Sequence, residues 1–409
     1  MKLKDMEVIV VGTPPPGWGG RYFIFVKVTT DNGIVGWGEV YAAAVGPKAM
    51  TAVIEDVFSR HMQGENPENV EMMFRRAYSS GFTQRPDPTV IGAFSGLEIA
   101  CWDILGKAHG RPVHALLGGM MNDRVRSYTY LYPLAHQDIN QFWGNADMAA
   151  ECAAEMVRLG FTAVKFDPAG PYTLRGGHQP AVSDIAQSVE FCRKIRAAVG
   201  SKADLLFGTH GQFTTSGAIR LGRQLEEFDP LWFEEPMPPD NIDEFRRVAD
   251  AIRIPIATGE RLLTRWGFRE ILETGAASIL QPDTCHAGGI SEIRRIGAMA
   301  EVYYAGMAPH NPYGPVSTAA CVQVDFAMPN FVIQEMVDPD TSPISMLEFV
   351  VEPLQVVDGH ILPPTKPGIG VEVDEAACMR RQPDFSIETT RTFVSWYGAK
   401  HADGGVADS

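Results

Sequence analysis

From about Val125 onward, apolar positions fall in short runs that each end on a polar residue, and most are followed by a stretch with helical spacing. The runs are RSYTYLY from Arg126, TAVKFDP from Thr162, DLLFGTH from Asp204 and PLWFEEP from Pro230. PIATGE from Pro255, SILQPD from Ser278, YAGMAPH from Tyr304 and FVIQEM from Phe331 complete a set of eight. Segments such as MAAECAAEMVRLG, SDIAQSVEFCRKIRAAVG and GISEIRRIGAMAEVYYA lie between them and read as amphipathic helices. Strands that alternate with helices pair in parallel. Eight such units over roughly 200 residues predict a closed (β/α)8 TIM-type barrel, with its site at the C-terminal strand ends. An open doubly wound sheet is the alternative, but no GxGxxG follows the first run.

The flanking regions have another rhythm. YFIFVKVTTDNGIVGWGEV alternates with period two around Asp31-Asn32-Gly33, a hairpin signal. SGLEIACWDILGKAHG, Ser95 to Gly110, is helical in spacing, with Gly110 placed to end it. LEFVVEPLQVVDGHILPPTKPGIGVEVDE returns to strands, turns and prolines. The expected division is an N-terminal α+β capping domain over 1–124, the barrel over 125–345, and a C-terminal segment, 346–409, that returns to the cap.

Composition narrows the classes. A chain of 409 residues exceeds one ordinary core, which favours two structural units. No run of 18 uninterrupted apolar residues predicts a membrane span, and the broken N-terminus MKLKDMEVIVVG does not read as a signal peptide. The six cysteines are scattered without a CxxC pair, as in reduced thiols of a cytoplasmic protein. A net charge of −15 disfavours nucleic acid and anionic membranes as partners, while a bound cation would still admit a small anionic substrate. The tail HADGGVADS is expected to be disordered.

The barrel rule makes the end of each run a candidate site position. In order these carry Lys165 and Asp167, His210, Glu234 and Glu235, Glu260, Asp283, His310 and Glu335. Glu234 and Glu260 end neighbouring strands, where their carboxylates are expected to converge on Mg²⁺, a hard cation that prefers oxygen. Glu235 faces away by alternation and reads as structural. Asp283 and His310 end successive strands; a carboxylate beside an imidazole fixes its tautomer and raises its basicity, as a general base requires.

At this point the chain resembles the enolase superfamily, and within it the mandelate racemase subgroup. The resemblance rests on GWGE, SGLEIACWDILGKAHGRPVHALLGG, the order of strand ends, and PGIGVEVDE. It implies a Mg²⁺ site at three consecutive strand ends, removal of the proton α to a carboxylate, and stabilisation of the enediolate. By position, Glu234 and Glu260 match the second and third metal ligands, and Asp283 with His310 the catalytic dyad. Glu335 matches the acid facing the enolic oxygen, and Lys165 the first lysine of a KxK pattern.

Two positions depart from the family pattern. Gly208 stands where the first metal-binding aspartate is expected, and Asp167 where the second lysine is expected. Residues two apart on a strand share a face, so Asp167 is expected inward beside Lys165, reaching the metal across the space Gly208 leaves. His210 as a nitrogen ligand, water in the vacant position, or a lost metal site are the alternatives. A histidine two residues after that position resembles the acid-sugar dehydratases, where it protonates a leaving hydroxyl.

The resulting expectation is a Mg²⁺-dependent acid-sugar dehydratase. A cycloisomerase or epimerase of the same chemistry comes second, with Lys165 as the second base. A non-catalytic sugar-acid binding protein comes third, and the retained Asp283, His310 and Glu335 argue against it. Trp18 and Arg21 in GTPPPGWGGRYF, the loop near Tyr41, and Tyr172, Arg175 and His178 after the second strand are the candidate substrate contacts. The expected partners are a small-molecule sugar acid and further copies of the chain as a homo-oligomer.

Overall fold

The computed structural model describes residues 1–13, 22–41, 45–82, 85–169, 178–336 and 346–381. Trp18, Arg21, Tyr172, Arg175 and the tail therefore lie outside the described residues.

The first unit is an antiparallel sheet of β1 (Leu3–Gly12), β2 (Tyr22–Thr30) and β3 (Val35–Val40), covered by three helices. The predicted hairpin is β2–β3, paired Ile24↔Val40 and Val26↔Gly38 around Asp31-Asn32-Gly33. The helix expected from Ser95 begins earlier, spanning Pro88–Ala108. Asp87 caps it by accepting from Thr89 N at 2.9 Å and Val90 N at 3.0 Å, and Pro88 needs no backbone partner in the first turn. This helix passes close over β3: a Cβ at Gly38 would collide with the Gly96 carbonyl, which explains the glycine in GWGE. By length and composition the helix is apolar enough to cross a membrane, yet 83% of its apolar window is buried inside the protein, as in a core helix.

All eight predicted runs contribute a strand to the barrel. These are β4 (Val125–Tyr130), β5 (Ala163–Phe166), β6 (Asp204–Gly208), β7 (Trp232–Glu234), β8 (Ile256–Thr258), β9 (Ile279–Leu280), β10 (Gly306–Met307) and β11 (Gln334–Glu335). Consecutive strands from β4 to β10 pair in parallel. A parallel bridge Met307↔Phe331 and the parallel pairing of β11 with β4 close the ring. Its interior is filled by Tyr128, Ala163, Leu206, Trp232, Ala257, Ile279, Ala308 and Ile333. Each comes from a strand or the residue beside it, and the small alanines leave room for the two large aromatic rings.

The chain after the barrel touches both units. β12 (Val356–Val357) and β13 (His360–Ile361) form a hairpin, and β13 pairs antiparallel with β4. Phe349 meets Phe23 and Phe25 of the cap with ring centroids 6.2 and 6.4 Å apart, and Trp37 Nε1 donates to Glu372 at 3.0 Å.

Buried carboxylates of the cap then lock it onto the barrel mouth. Glu39, at the end of GWGE, accepts from Gly314 N and Ser317 N, each at 2.8 Å, at the start of the helix Pro315–Ala327 that follows β10. Glu98 accepts from Ile290 N at 2.8 Å and Ser291 N at 3.0 Å, at the start of the helix Ile290–Val302 that follows β9. Each satisfies amides that a helix N-terminus leaves without partners. Asp103 accepts from Trp37 N and Ile369 N, each at 2.9 Å, tying the hairpin to PGIGVEVDE. The motifs that carried the family resemblance are thus largely the joints between the two units.

Candidate active site

The barrel strands are short, and Lys165, Glu234, Glu260, Asp283, His310 and Glu335 stand at or just beyond their C-terminal ends. Glu234, at the end of β7, is 2% exposed, and its Oε1 lies 2.7 Å from the Lys165 ammonium. Its Oε2 accepts from Trp232 Nε1 at 3.1 Å and Gln281 Nε2 at 2.7 Å. Sequence reading missed both donors, although Trp232 is two residues before Glu234 and Gln281 two before Asp283, positions that share a face in a strand. Burial raises the pKa of Glu234, and the Lys165 charge opposes that rise.

Glu260 follows β8 and stands between imidazoles. Burial pushes its carboxyl up, but the charges of His310 and His210, with Lys165 and Arg261, outweigh it and hold the group down to about 2. His310 turns Nε2 toward Glu260 Oε2 at 3.4 Å and Nδ1 toward Asp283 Oδ2 at 2.7 Å. Asp283 is fully buried, and its other oxygen accepts from Cys285 N at 2.7 Å. Burial would lower the His310 pKa, but Glu260 and the Asp283 hydrogen bond raise it to about 9. The structure thus brings Asp283 and His310 together, with Nε2 turned toward Glu260.

His210 is exposed beyond β6 in a left-handed conformation, φ 50°, with its carbonyl accepting from Arg261 Nη2 at 2.8 Å. Glu235 is buried, paired with Arg261 at 2.9 Å and accepting from Thr258 Oγ1 at 3.1 Å. Glu335 accepts from Asn311 N at 2.9 Å and lies 3.3 Å from the Lys165 ammonium. Burial raises its pKa, but Lys165 and His310 prevail and hold it below the ordinary carboxylate range. A cap residue also reaches this centre: Tyr41 lies 4.5 Å from Tyr313, whose ring meets His310 edge-on at 5.6 Å.

Asp167 is not gathered with Glu234 and Glu260 into a three-carboxylate group. β5 pairing ends at Phe166, so strand alternation no longer directs the next residue. The Asp167 carboxylate accepts from Ala169 N at 2.7 Å and Gln212 Nε2 at 2.8 Å, and it is near enough to raise the Tyr130 and Cys192 pKa values. The space over Gly208 holds the Lys165 side chain instead, since a Cβ there would sit 2.8 Å from Lys165 Cε. His178 is 8% exposed, with its ring 5.1 Å from Phe213.

Among the described residues no group of three or more metal-binding side chains is assembled. Glu234 and Glu260 stand at the ends of neighbouring strands, the Glu260 charge raises the Glu234 pKa, and their hard oxygens make them the residues that could hold one divalent cation. Mg²⁺ commonly uses one or two carboxylates, with water and substrate in its remaining positions.

Family models match both units of the chain. The mandelate racemase/muconate lactonizing enzyme N-terminal domain matches residues 18–118, and the enolase C-terminal domain-like model matches residues 147–377. The chain is 34% identical over 404 residues to D-galactonate dehydratase of Ralstonia nicotianae, covering 96% of this chain and 97% of that protein. Its structure is similar to the mandelate racemase/muconate lactonizing enzyme-like protein of Roseovarius sp. TM1035, with 62% identity, TM-score 0.90, and 94% and 97% of the two chains covered. A mandelate racemase/muconate lactonizing enzyme from Sulfitobacter sp. is 60% identical, with TM-score 0.91 over 94% and 97% of the two chains. The chain belongs to the mandelate racemase/muconate lactonizing enzyme family of the enolase superfamily.

Proposed function

We propose that this protein is an acid-sugar dehydratase, which removes water from a sugar acid such as galactonate to give a 2-keto-3-deoxy acid. The observation that carries this reading is His310, backed by Asp283 at 2.7 Å and aimed at Glu260, at successive strand ends. The name of the relative from Ralstonia nicotianae supports the substrate class.

The α-proton of a carboxylate is weakly acidic, so stabilisation of the developing negative charge is the largest demand on the site. Glu234 and Glu260 would hold Mg²⁺, whose charge would supply that stabilisation when bound, and with Glu260 so engaged His310 would be neutral. His310 Nε2 takes the C2 proton, and Asp283 stabilises the resulting imidazolium at Nδ1. His210 delivers a proton to the C3 hydroxyl, the C3–O bond breaks, and water leaves. The enol that remains rearranges to the 2-keto acid. Glu335, held ionised by Lys165, accepts hydrogen bonds from this side of the site.

The isomerising alternative needs a second base. Lys165 is a poor one: burial favours its neutral form, but Glu234 and Glu335 hold its pKa well above the ordinary lysine range. The test is a panel of acid sugars in D₂O, read for 2-keto product and for exchange at C2. Product with exchange is expected; exchange without loss of water would replace dehydration by isomerisation.

A further inference from the structure

Lys165 stands on β5, yet its ammonium pairs with Glu234 on β7, two strands away around the barrel. It crosses β6 at Gly208, which is the register partner of Glu234. A Cβ at 208 would stand 2.8 Å from Lys165 Cε and 3.9 Å from both Cδ and Cγ. The lysine is 2% exposed, and its ammonium is held by Glu234 at 2.7 Å and Glu335 at 3.3 Å, with the Tyr128 ring centroid at 5.9 Å. A buried ammonium is tolerated only when such partners offset its lost hydration.

We propose that Lys165 is a positioning residue, a built-in cation admitted by the missing side chain of Gly208, which holds Glu234 and Glu335 where a third metal-binding carboxylate would otherwise help order the site. The departure at Gly208 and the retained Lys165 are then one feature. Any divalent ion is left with Glu234 and Glu260 as its carboxylates, a consequence that rests on the metal reading above. The lysine acts through Glu234 and is not a base.

A double-mutant cycle on the metal-free protein in EDTA tests the coupling by urea unfolding. Gly208→Ala is expected to lower the unfolding equilibrium constant's favour for the folded state about 30-fold in the parent, because the new methyl dislodges the lysine. In a Lys165→Met background the same change should cost less than about 3-fold. Equal costs in both backgrounds overturn the proposal. Should Lys165→Met not fold, Lys165→Gln, which still donates to Glu234, takes its place; should neither fold, parental stability of Gly208→Ala overturns it.

Calorimetric titration with Mg²⁺ gives a second readout. Lys165→Met with Gly208→Asp should bind at least about 10-fold tighter than the parent, since a carboxylate replaces a competing cation. Asp167→Asn should bind as the parent does, and a severe loss there would return the third-ligand role to Asp167 and sink the proposal. Absence of Mg²⁺ binding in the parent would instead defeat the metal reading, and the cycle in EDTA would still decide the role of Lys165.

Discussion

Replacing Glu39 by Gln probes how the cap holds the helix that follows His310. Glu39 is 2% exposed and accepts from Gly314 N and Ser317 N, both at 2.8 Å. Burial raises its pKa from 4.5 to about 8, more than the two amides lower it. Between those values the folded protein keeps a proton that the unfolded chain has lost, so the contribution of Glu39 to stability falls as pH rises. At 1.36 kcal/mol per pH unit, the loss from the unfolded to the folded pKa is about 5 kcal/mol as an upper bound. Gln mimics the protonated form but turns its NH₂ toward one of the two amides, costing about 1–2 kcal/mol at any pH. Glu39→Gln should therefore be less stable than the parent near about pH 5 and more stable near about pH 8. Urea unfolding at several pH values reads this directly, with m-values compared to confirm that the same surface unfolds. Parallel stability–pH curves for the two proteins would refute the reasoning and mean that the amides keep Glu39 ionised.

Three further outcomes are expected. Glu234→Gln or Glu260→Gln should abolish measurable Mg²⁺ binding by calorimetry and turnover while keeping the parental circular dichroism spectrum; ordinary activity in either would remove the metal from the mechanism. His310→Asn should stop C2 exchange in D₂O, whereas His210→Asn should slow product formation about 10²-fold or more yet leave exchange detectable by NMR; the reverse pattern would swap base and acid. Glu98→Leu strands the Ile290 and Ser291 amides, which donate to Glu98 at 2.8 and 3.0 Å, while the Trp102 indole N–H keeps Ser291 Oγ at 2.9 Å. It should cost about 3–5 kcal/mol in urea unfolding, and a loss under about 1 kcal/mol would show that water replaces the carboxylate.

The sequence by itself determined the barrel, because short apolar runs separated by helical spacing leave parallel pairing as the way to bury every apolar face. It also located Glu234, Glu260, Asp283, His310 and Glu335, since a barrel brings its strand ends to one rim whatever the loops do. The donors Trp232 and Gln281 were within reach of the same alternation, but nothing local says which of several same-face neighbours will touch. Asp167 marks where alternation stops being a guide: it lies one residue past the last paired position, and its carboxylate accepts from Gln212. Only the tertiary structure decided what fills the space over Gly208. Lys165 and Gly208 are on different strands, and their contact depends on the register of β5 against β6 and β6 against β7. Tertiary packing also assigned the family motifs their work, since Glu39 and Glu98 find their amide partners some 200 residues or more away along the chain. Side-chain pairing across a closed barrel is long-range, and single-strand periodicity carries no information about it.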